Sequence, residues 1–227
     1  MRTLFSLLAF LCFTVAVSAQ TSVGIRGAYG TSSLRTDSDL DLISDQLDNT
    51  STLSAGLYVE HAFTEVFSLR SGVEINRRGT SLALTQDAEI FGMNVGFGAR
   101  AKTRFTYVDV PVLAQVHLPT NSAVTPYAFG GASLGYATAG NIRTTATALV
   151  EFNLMTTDIN LDAINYERFH VAAMGGVGVK AKAGENLTFF VEGRFEQSLT
   201  QPYDVPIVTA RTGFKGVQVG GGVAVTF

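Results

Sequence analysis

The chain has 227 residues, 23 of them glycine, with no tryptophan and one cysteine, and only 15% are charged against the ~25% of an ordinary soluble domain. The 16 basic and 19 acidic residues leave a net charge of −3 at pH 7, which speaks against a nucleic-acid or polyanion binder, and one cysteine excludes a disulfide framework.

The chain begins with a single positive charge, Arg2, the apolar run Leu4 to Val17, and the small residues of Val17-Ser18-Ala19. This pattern predicts a secretory signal peptide over residues 1–19, cleaved after Ala19. Its apolar core is too short to span a membrane as a helix. Leu11, before Cys12, is too large for lipoprotein processing, so cleavage would remove the only cysteine. Arg2 is the one charge in the leader, so 15 of the 16 basic residues would remain beside 19 acidic ones, a net of −4. No later stretch approaches the ~20 continuous apolar residues of a transmembrane helix. If residues 20–227 cross a membrane, they do so with strands.

Eight strands are predicted in chain order. The first, Val23 to Tyr29, is followed by an acidic loop, Thr31 to Ser51. The second, Thr52 to Phe63, turns through Thr64 and Glu65 into the third, Val66 to Arg78. A long segment, Gly79 to Lys102, has alternating pieces of its own, which suggests that this hairpin continues beyond the membrane. The fourth strand is Arg104 to Leu118, and a turn at Pro119 to Ala123 leads to the fifth, Val124 to Ala137. The segment Thr138 to Arg168 reads as part strand and part short helix. The sixth strand is Phe169 to Ala183, the turn Gly184-Glu185-Asn186 leads to the seventh, Leu187 to Gln197, and the loop Ser198 to Thr212 reaches the last, Gly213 to Phe227. Four long connections thus alternate with three short ones, which is the asymmetry of outer-membrane barrels with long outer loops and short periplasmic turns.

Alternation within the strands separates two faces. Leu53, Ala55, Leu57, Val59 and Phe63 oppose Ser54, Tyr58 and Glu60, and Phe67, Leu69, Val73 and Ile75 oppose Arg70, Glu74 and Asn76. The fourth and seventh strands behave alike, while the fifth is ambiguous because both of its faces are small or aromatic. The last strand places Val217, Val219, Val223, Val225 and Phe227 on one parity. It must be paired, and the first strand supplies the partner. The expected fold is an all-β, eight-stranded antiparallel up-and-down transmembrane β-barrel. A soluble lipocalin-like carrier would alternate equally well with its apolar face inside, so alternation leaves that alternative open. Small apolar residues, long loops on one rim and the aromatic terminus favour the membrane arrangement.

Eight strands enclose a space just wide enough for side chains. Arg26, Glu60, Arg70, Glu74, Asp109, Lys180, Glu192, Arg194 and Glu196 then share the lumen, and a mutually satisfied ion network plugging it is the expectation, with a small pore as the alternative. His61 and His117 fall near periplasmic strand ends and His170 near the opposite end, a poor metal site. No nucleophile signature accompanies them, and GGVGVK at Gly175 to Lys180 lacks a strand-to-helix transition, so neither an enzyme nor a cofactor is expected. Asp37, Asp39, Asp41, Asp45 and Asp48 read as a solvated acidic loop without calcium-loop spacing. Tyr29, Phe63, Phe67, Tyr127, Tyr136, Phe169 and Phe227 are candidates for interfacial girdles.

YVDVPVLAQVHL (Tyr107 to Leu118), TPYAFGGASLGY (Thr125 to Tyr136), FHVAAMGGVGVKA (Phe169 to Ala181) and LTFFVEGRFEQSL (Leu187 to Leu199) resemble the PorT-like family of small outer-membrane β-barrel proteins. Phe195 stands where a Tyr is expected after the Arg of the seventh strand. The resemblance implies an eight-stranded barrel in the outer membrane of a Gram-negative bacterium and transfers no catalytic residue or secretion role. The partners expected are outer-membrane lipids, the barrel-assembly machinery with Phe227 as assembly signal, and an unspecified surface partner of the long loops, with no nucleic acid.

Overall fold

The computed structural model describes residues 20–36, 47–90, 93–148, 150–161, 163, 166–200 and 212–227. The leader and Asp37, Asp39, Asp41 and Asp45 of the acidic loop lie outside these residues. Ten strands follow in chain order: β1 (Thr21–Thr36), β2 (Leu47–Asp48), β3 (Thr50–Ala62), β4 (Phe67–Ile90), β5 (Met93–His117), β6 (Val124–Ala148), β7 (Val150–Ile159), β8 (Phe169–Ala183), β9 (Leu187–Ser198) and β10 (Thr212–Thr226). Eight of them, all but β2 and β7, form an antiparallel ring in which β4 pairs with β5 and β1 pairs with β10, so the sheet closes. The β1–β10 seam runs from Ser22↔Thr226 to Thr36↔Thr212.

Sequence alternation becomes an inside and an outside. Along β3 the even positions Thr52, Ser54, Tyr58 and Glu60 are buried, while Leu53, Leu57 and Val59 are exposed. The same holds around the ring, where Val73, Ile75, Val110, Val191 and Val219 point outward. This direction excludes the soluble carrier, which needs its apolar residues in the lumen and its charges in water. The strands form an eight-stranded membrane-spanning barrel.

The ambiguous fifth strand is settled by its neighbours. In β6, Tyr127, Phe129 and Ser133 face inward, while Ala128, Leu134 and Tyr136 face outward. Tyr127 is therefore not a girdle residue: at 2% exposure it lies in the lumen, whereas Tyr29, Phe63, Phe67, Tyr136, Phe169 and Phe227 are exposed. Lumen width also dictates glycine at one contact. A Cβ on Gly222 would stand 1.9 Å from the Ile25 carbonyl oxygen and 2.7 Å from the Phe190 ring, so the β1–β10 seam and an inward aromatic can coexist only without a side chain there. Gly184 adopts φ 83° in the tight β8–β9 turn, a conformation that glycine takes without steric cost.

Beyond the membrane the sequence forms more strand than expected. β4, β5 and β6 contain 24, 25 and 25 residues, well over the ~9–11 that a tilted strand needs to cross. The β4–β5 ladder continues to Ile90↔Met93, and β6 pairs with both β5 and β7 above the barrel. In 138–168 the described residues form no helix; β7 pairs with β6 from Gly140↔Ile159 to Ala148↔Val150, as its β-branched content favours. The acidic loop is shortened likewise, since β1 runs to Thr36 and β2 pairs Asp48 with Ser81.

If the apolar face meets lipid, a charge there is costly. Leu57→Arg is expected to destabilise the barrel by ~2–4 kcal/mol if the site lies near the bilayer midplane, read as a lower urea midpoint for unfolding from lipid vesicles. An unchanged midpoint would contradict lipid contact at this face.

Candidate functional site

Among the described residues, inward positions of the eight strands bring five basic and five acidic side chains into the lumen: Arg26, Arg70, Arg78, Lys180 and Arg194 with Glu60, Glu74, Asp109, Glu192 and Glu196. They lie in three connected groups along the barrel axis.

The central group is built on Glu192 of β9. Its Oε1 accepts from Arg26 Nε at 2.8 Å and Arg194 Nη2 at 3.4 Å, and its Oε2 accepts from Arg70 Nη2 and from the Tyr127 hydroxyl, both at 2.7 Å. Glu74 takes the remaining capacity of two of these arginines: Arg194 donates to both its oxygens, at 2.8 and 3.2 Å, and Arg26 Nη1 lies 3.5 Å away. Arg26 also donates to Ser54 Oγ at 3.0 Å, and Ser54 in turn donates to Gln218 Oε1 at 3.0 Å. Arg70 is held differently. Its guanidinium carbon lies 5.2 Å from the Phe129 ring centroid, 5.4 Å from Tyr58 and 5.7 Å from Phe190. Its Nε and Nη1 hold no hydrogen bond among the described residues, so aromatic faces supply the negative potential there.

Toward the periplasmic end Lys180 pairs with Glu60 and donates to Gln115 Oε1 at 3.1 Å. Ser68 Oγ donates to Glu60 Oε1 at 3.0 Å and lies 2.8 Å from His117 Nε2. Below them a vestibule of about 600 Å³ opens at this end, lined among others by Glu60, His117, Lys180 and Lys182. Toward the outer end Arg78 donates to both oxygens of Asp109, at 3.3 and 2.7 Å, and pairs with Glu196. Asn76 Nδ2 donates to Glu196 Oε2 at 3.4 Å, and His170 Nε2 lies 3.8 Å from Glu196 Oε1.

An apolar cap closes the outer end. After β7 the chain turns back into the barrel mouth and buries Leu161 and Tyr166 against Phe105, Tyr107, Ala137 and Phe214. The Tyr166 ring stacks on Phe105 at 4.6 Å, and its hydroxyl is hydrogen-bonded to that of Tyr107.

The structure thus places Arg26, Glu60, Arg70, Glu74, Asp109, Lys180, Glu192, Arg194 and Glu196 together inside the barrel. Sequence reasoning missed Arg78, although its parity along β4 is that of Arg70 and Glu74, which is the signal that would have found it. It also missed the aromatic cradle of Arg70: Phe190 has the parity of Glu192 and Arg194, which is the signal that would have found it, whereas Phe129 lies in the strand whose parity was ambiguous. The three histidines are dispersed: His61 meets Thr21 Oγ1 at 3.1 Å, His117 belongs to the periplasmic group and His170 to the outer one. Phe227 is exposed at the barrel's periplasmic edge, where its N–H donates to the Thr21 carbonyl at 2.9 Å.

Residues 18–203 match the family described as "Outer membrane protein beta-barrel domain". The chain belongs to this family. No curated protein matches it. Among solved structures, this outer-membrane barrel is similar to Neisserial surface protein A, at 13% identity over 90% of this chain and 97% of that one, with a TM-score of 0.43. It is also similar to the outer membrane protein OprG from Pseudomonas aeruginosa, at 16% identity over 91% and 95% of the two chains and a TM-score of 0.42. A third is Ail of Yersinia pestis, at 12% identity over 91% and 98% with a TM-score of 0.38. None of these likenesses transfers a ligand or a role.

Glu192 offsets three buried guanidinium groups at once. Glu192→Ala is expected to lower stability by ~3–5 kcal/mol, the typical cost of leaving buried charge uncompensated. Glu185→Ala, in the exposed β8–β9 turn, should change it by less than about 0.5 kcal/mol. Denaturant midpoints in detergent, read from the difference between folded and unfolded gel bands, measure both.

Proposed function

We propose that this outer-membrane barrel serves a structural or surface-interaction role rather than transport through its lumen. One observation carries the reading: ten charged side chains, joined through Glu192, Glu74, Glu60 and Glu196, occupy the lumen, and an apolar cap lies above them. A path for solute would have to break several buried ion pairs together, each expensive to break singly. The scaffold instead presents surface outside the membrane, where β4, β5, β6 and β7 are joined in one sheet. Paired extensions of this kind suit binding to a partner.

On this reading residues 1–19 are removed after Ala19, the barrel-assembly machinery inserts the chain with Phe227 as part of its signal, and the protein catalyses no reaction. Within the wider family, the pieces around Tyr107, Tyr127, Phe169 and Leu187 support a PorT-like affiliation. The small-pore reading has one observation in its favour, the periplasmic vestibule that reaches Glu60 and Lys180.

Purified protein reconstituted in planar bilayers is expected to give no discrete conductance steps. Steps that change when Arg70 or Glu74 is neutralised would instead establish the pore. Removal of residues 80–101, the outer part of the β4–β5 hairpin, should leave the heat-modifiable folded band while abolishing binding to any surface partner. Retained binding would move the interaction elsewhere.

A further inference from the structure

The outer wall of the barrel bears a staircase of arginines. Val108 pairs with Tyr136, and Tyr136 with Phe169, which sets a row of exposed side chains with two aromatics, as an outer interfacial girdle has. Ile75 pairs with Val108 in the same row. Arg77 lies two residues beyond Ile75, Arg104 four residues beyond Val108, and Arg143 pairs with Lys102, six beyond. At about 3.3 Å per residue and a tilt of ~40°, they stand about 5, 10 and 15 Å above that row. Each step is also a move to the adjacent strand. Arg77 pairs with Thr106 and Arg104 with Asn141, so Arg77 and Arg104, and Arg104 and Arg143, are diagonal neighbours about 7–8 Å apart.

These positions have the parity of the lipid-facing residues, opposite to Arg78 and Phe105, which face the lumen. Arg77 and Arg143 are exposed, and Arg104 is half-buried. Arg104 reaches across Gly79, its partner in the ladder, to donate from Nη2 to Ser51 Oγ at 3.3 Å. Among the described residues the acids nearest in the pairing are Asp158, opposite Asn141, and Asp48, whose backbone pairs with Ser81; both lie beside the upper steps, and none of the described acids pairs beside Arg77.

We propose that Arg77, Arg104 and Arg143 bind the phosphate groups of an outer-leaflet glycolipid such as lipid A. The placement carries the assignment. A guanidinium just beyond the hydrocarbon edge meets lipid headgroups first, phosphate matches its planar donors bidentately, and three such groups spaced over about 10 Å of height fit a headgroup bearing more than one phosphate. The proposal rests on the outer-membrane reading and goes beyond it by naming a lipid class and its ligands.

The test uses the full-length mature protein in nonionic detergent, titrated with bis-phosphorylated or dephosphorylated lipid A and read by native mass spectrometry. The wild type is expected to bind the phosphorylated lipid at least about tenfold more tightly, and the triple variant R77Q/R104Q/R143Q to lose that preference, since each surface cation contributes about a fivefold effect. Lys215→Gln, on the outward face of β10, should keep it. Inorganic phosphate at the concentration of the lipid should not displace it. Equal binding of both lipids by the wild type, or a preference retained by the triple variant, overturns the proposal, and displacement by inorganic phosphate would reassign the site to a free anion. Gel mobility before and after boiling monitors folding. If the triple variant lacks the folded band, Arg104→Gln is read instead, with an expected loss of about fivefold; no loss overturns the proposal. A wild type that stays soluble without detergent would overturn the membrane reading itself, whereas a folded, detergent-requiring barrel without lipid preference would overturn only the lipid site.

Discussion

Glu192 is the junction on which the interior depends. Three guanidinium groups from β1, β4 and β9 and a tyrosine from β6 converge on its two oxygens. Charges removed from water must be compensated within the structure, and here compensation is possible only when strands distant in sequence are brought together. Arg26 and Glu192 are 166 residues apart, and Arg70 and Glu192 are 122 apart. The polar interior therefore favours one closure of the sheet. A ring with a displaced strand would bury the same charges without these partners.

The central network has to coexist with bulk. Tyr58, Phe129 and Phe190 fill the lumen beside Arg70, and they find room because strands beside them carry glycine, Gly24 against Tyr58, Gly176 against Phe129 and Gly222 against Phe190. Aromatic rings thus do two things at once: they take up volume that would otherwise admit water, and they present negative faces to a cation whose donors are not all used. At the outer end the chain changes chemistry. Leu161 and Tyr166 close the mouth with apolar contacts above the ion pairs of Arg78, while the periplasmic end stays open as a vestibule. The lumen is consequently asymmetric, with an apolar cluster among the described residues at its outer end and a vestibule at its periplasmic end.

The outer wall completes this division of charge. Lipid-facing positions within the span are mostly aliphatic or aromatic, with small residues such as Ser71 and Gly193 among them, and cations on the same parity begin beyond Tyr136 and Phe169. One alternation thus serves three environments along a single strand such as β4: lumen network, hydrocarbon, and headgroup region. The joined extensions of β4 to β7 then carry the sheet further out, where the strands no longer need to be half apolar.

The sequence by itself determined the strand class, the number of ring strands, the short turns and most of the inward charges, because a period-two pattern is a local property that survives without knowledge of neighbours. Arg26, Glu74 and Glu192 could be assigned to one face by parity alone. Tertiary structure decided everything that depends on which strand lies beside which. It turned the apolar faces outward, placed Tyr127 in the lumen rather than at an interface, gave Arg78 its partners on β5 and β9, and made strand of 138–148 and 150–159 by pairing them with β5 and β6. Alternation records that a strand has two faces. Only closure of the ring, with its shared interior volume and its long-range ion pairs, settles which face each environment receives and which charges meet there.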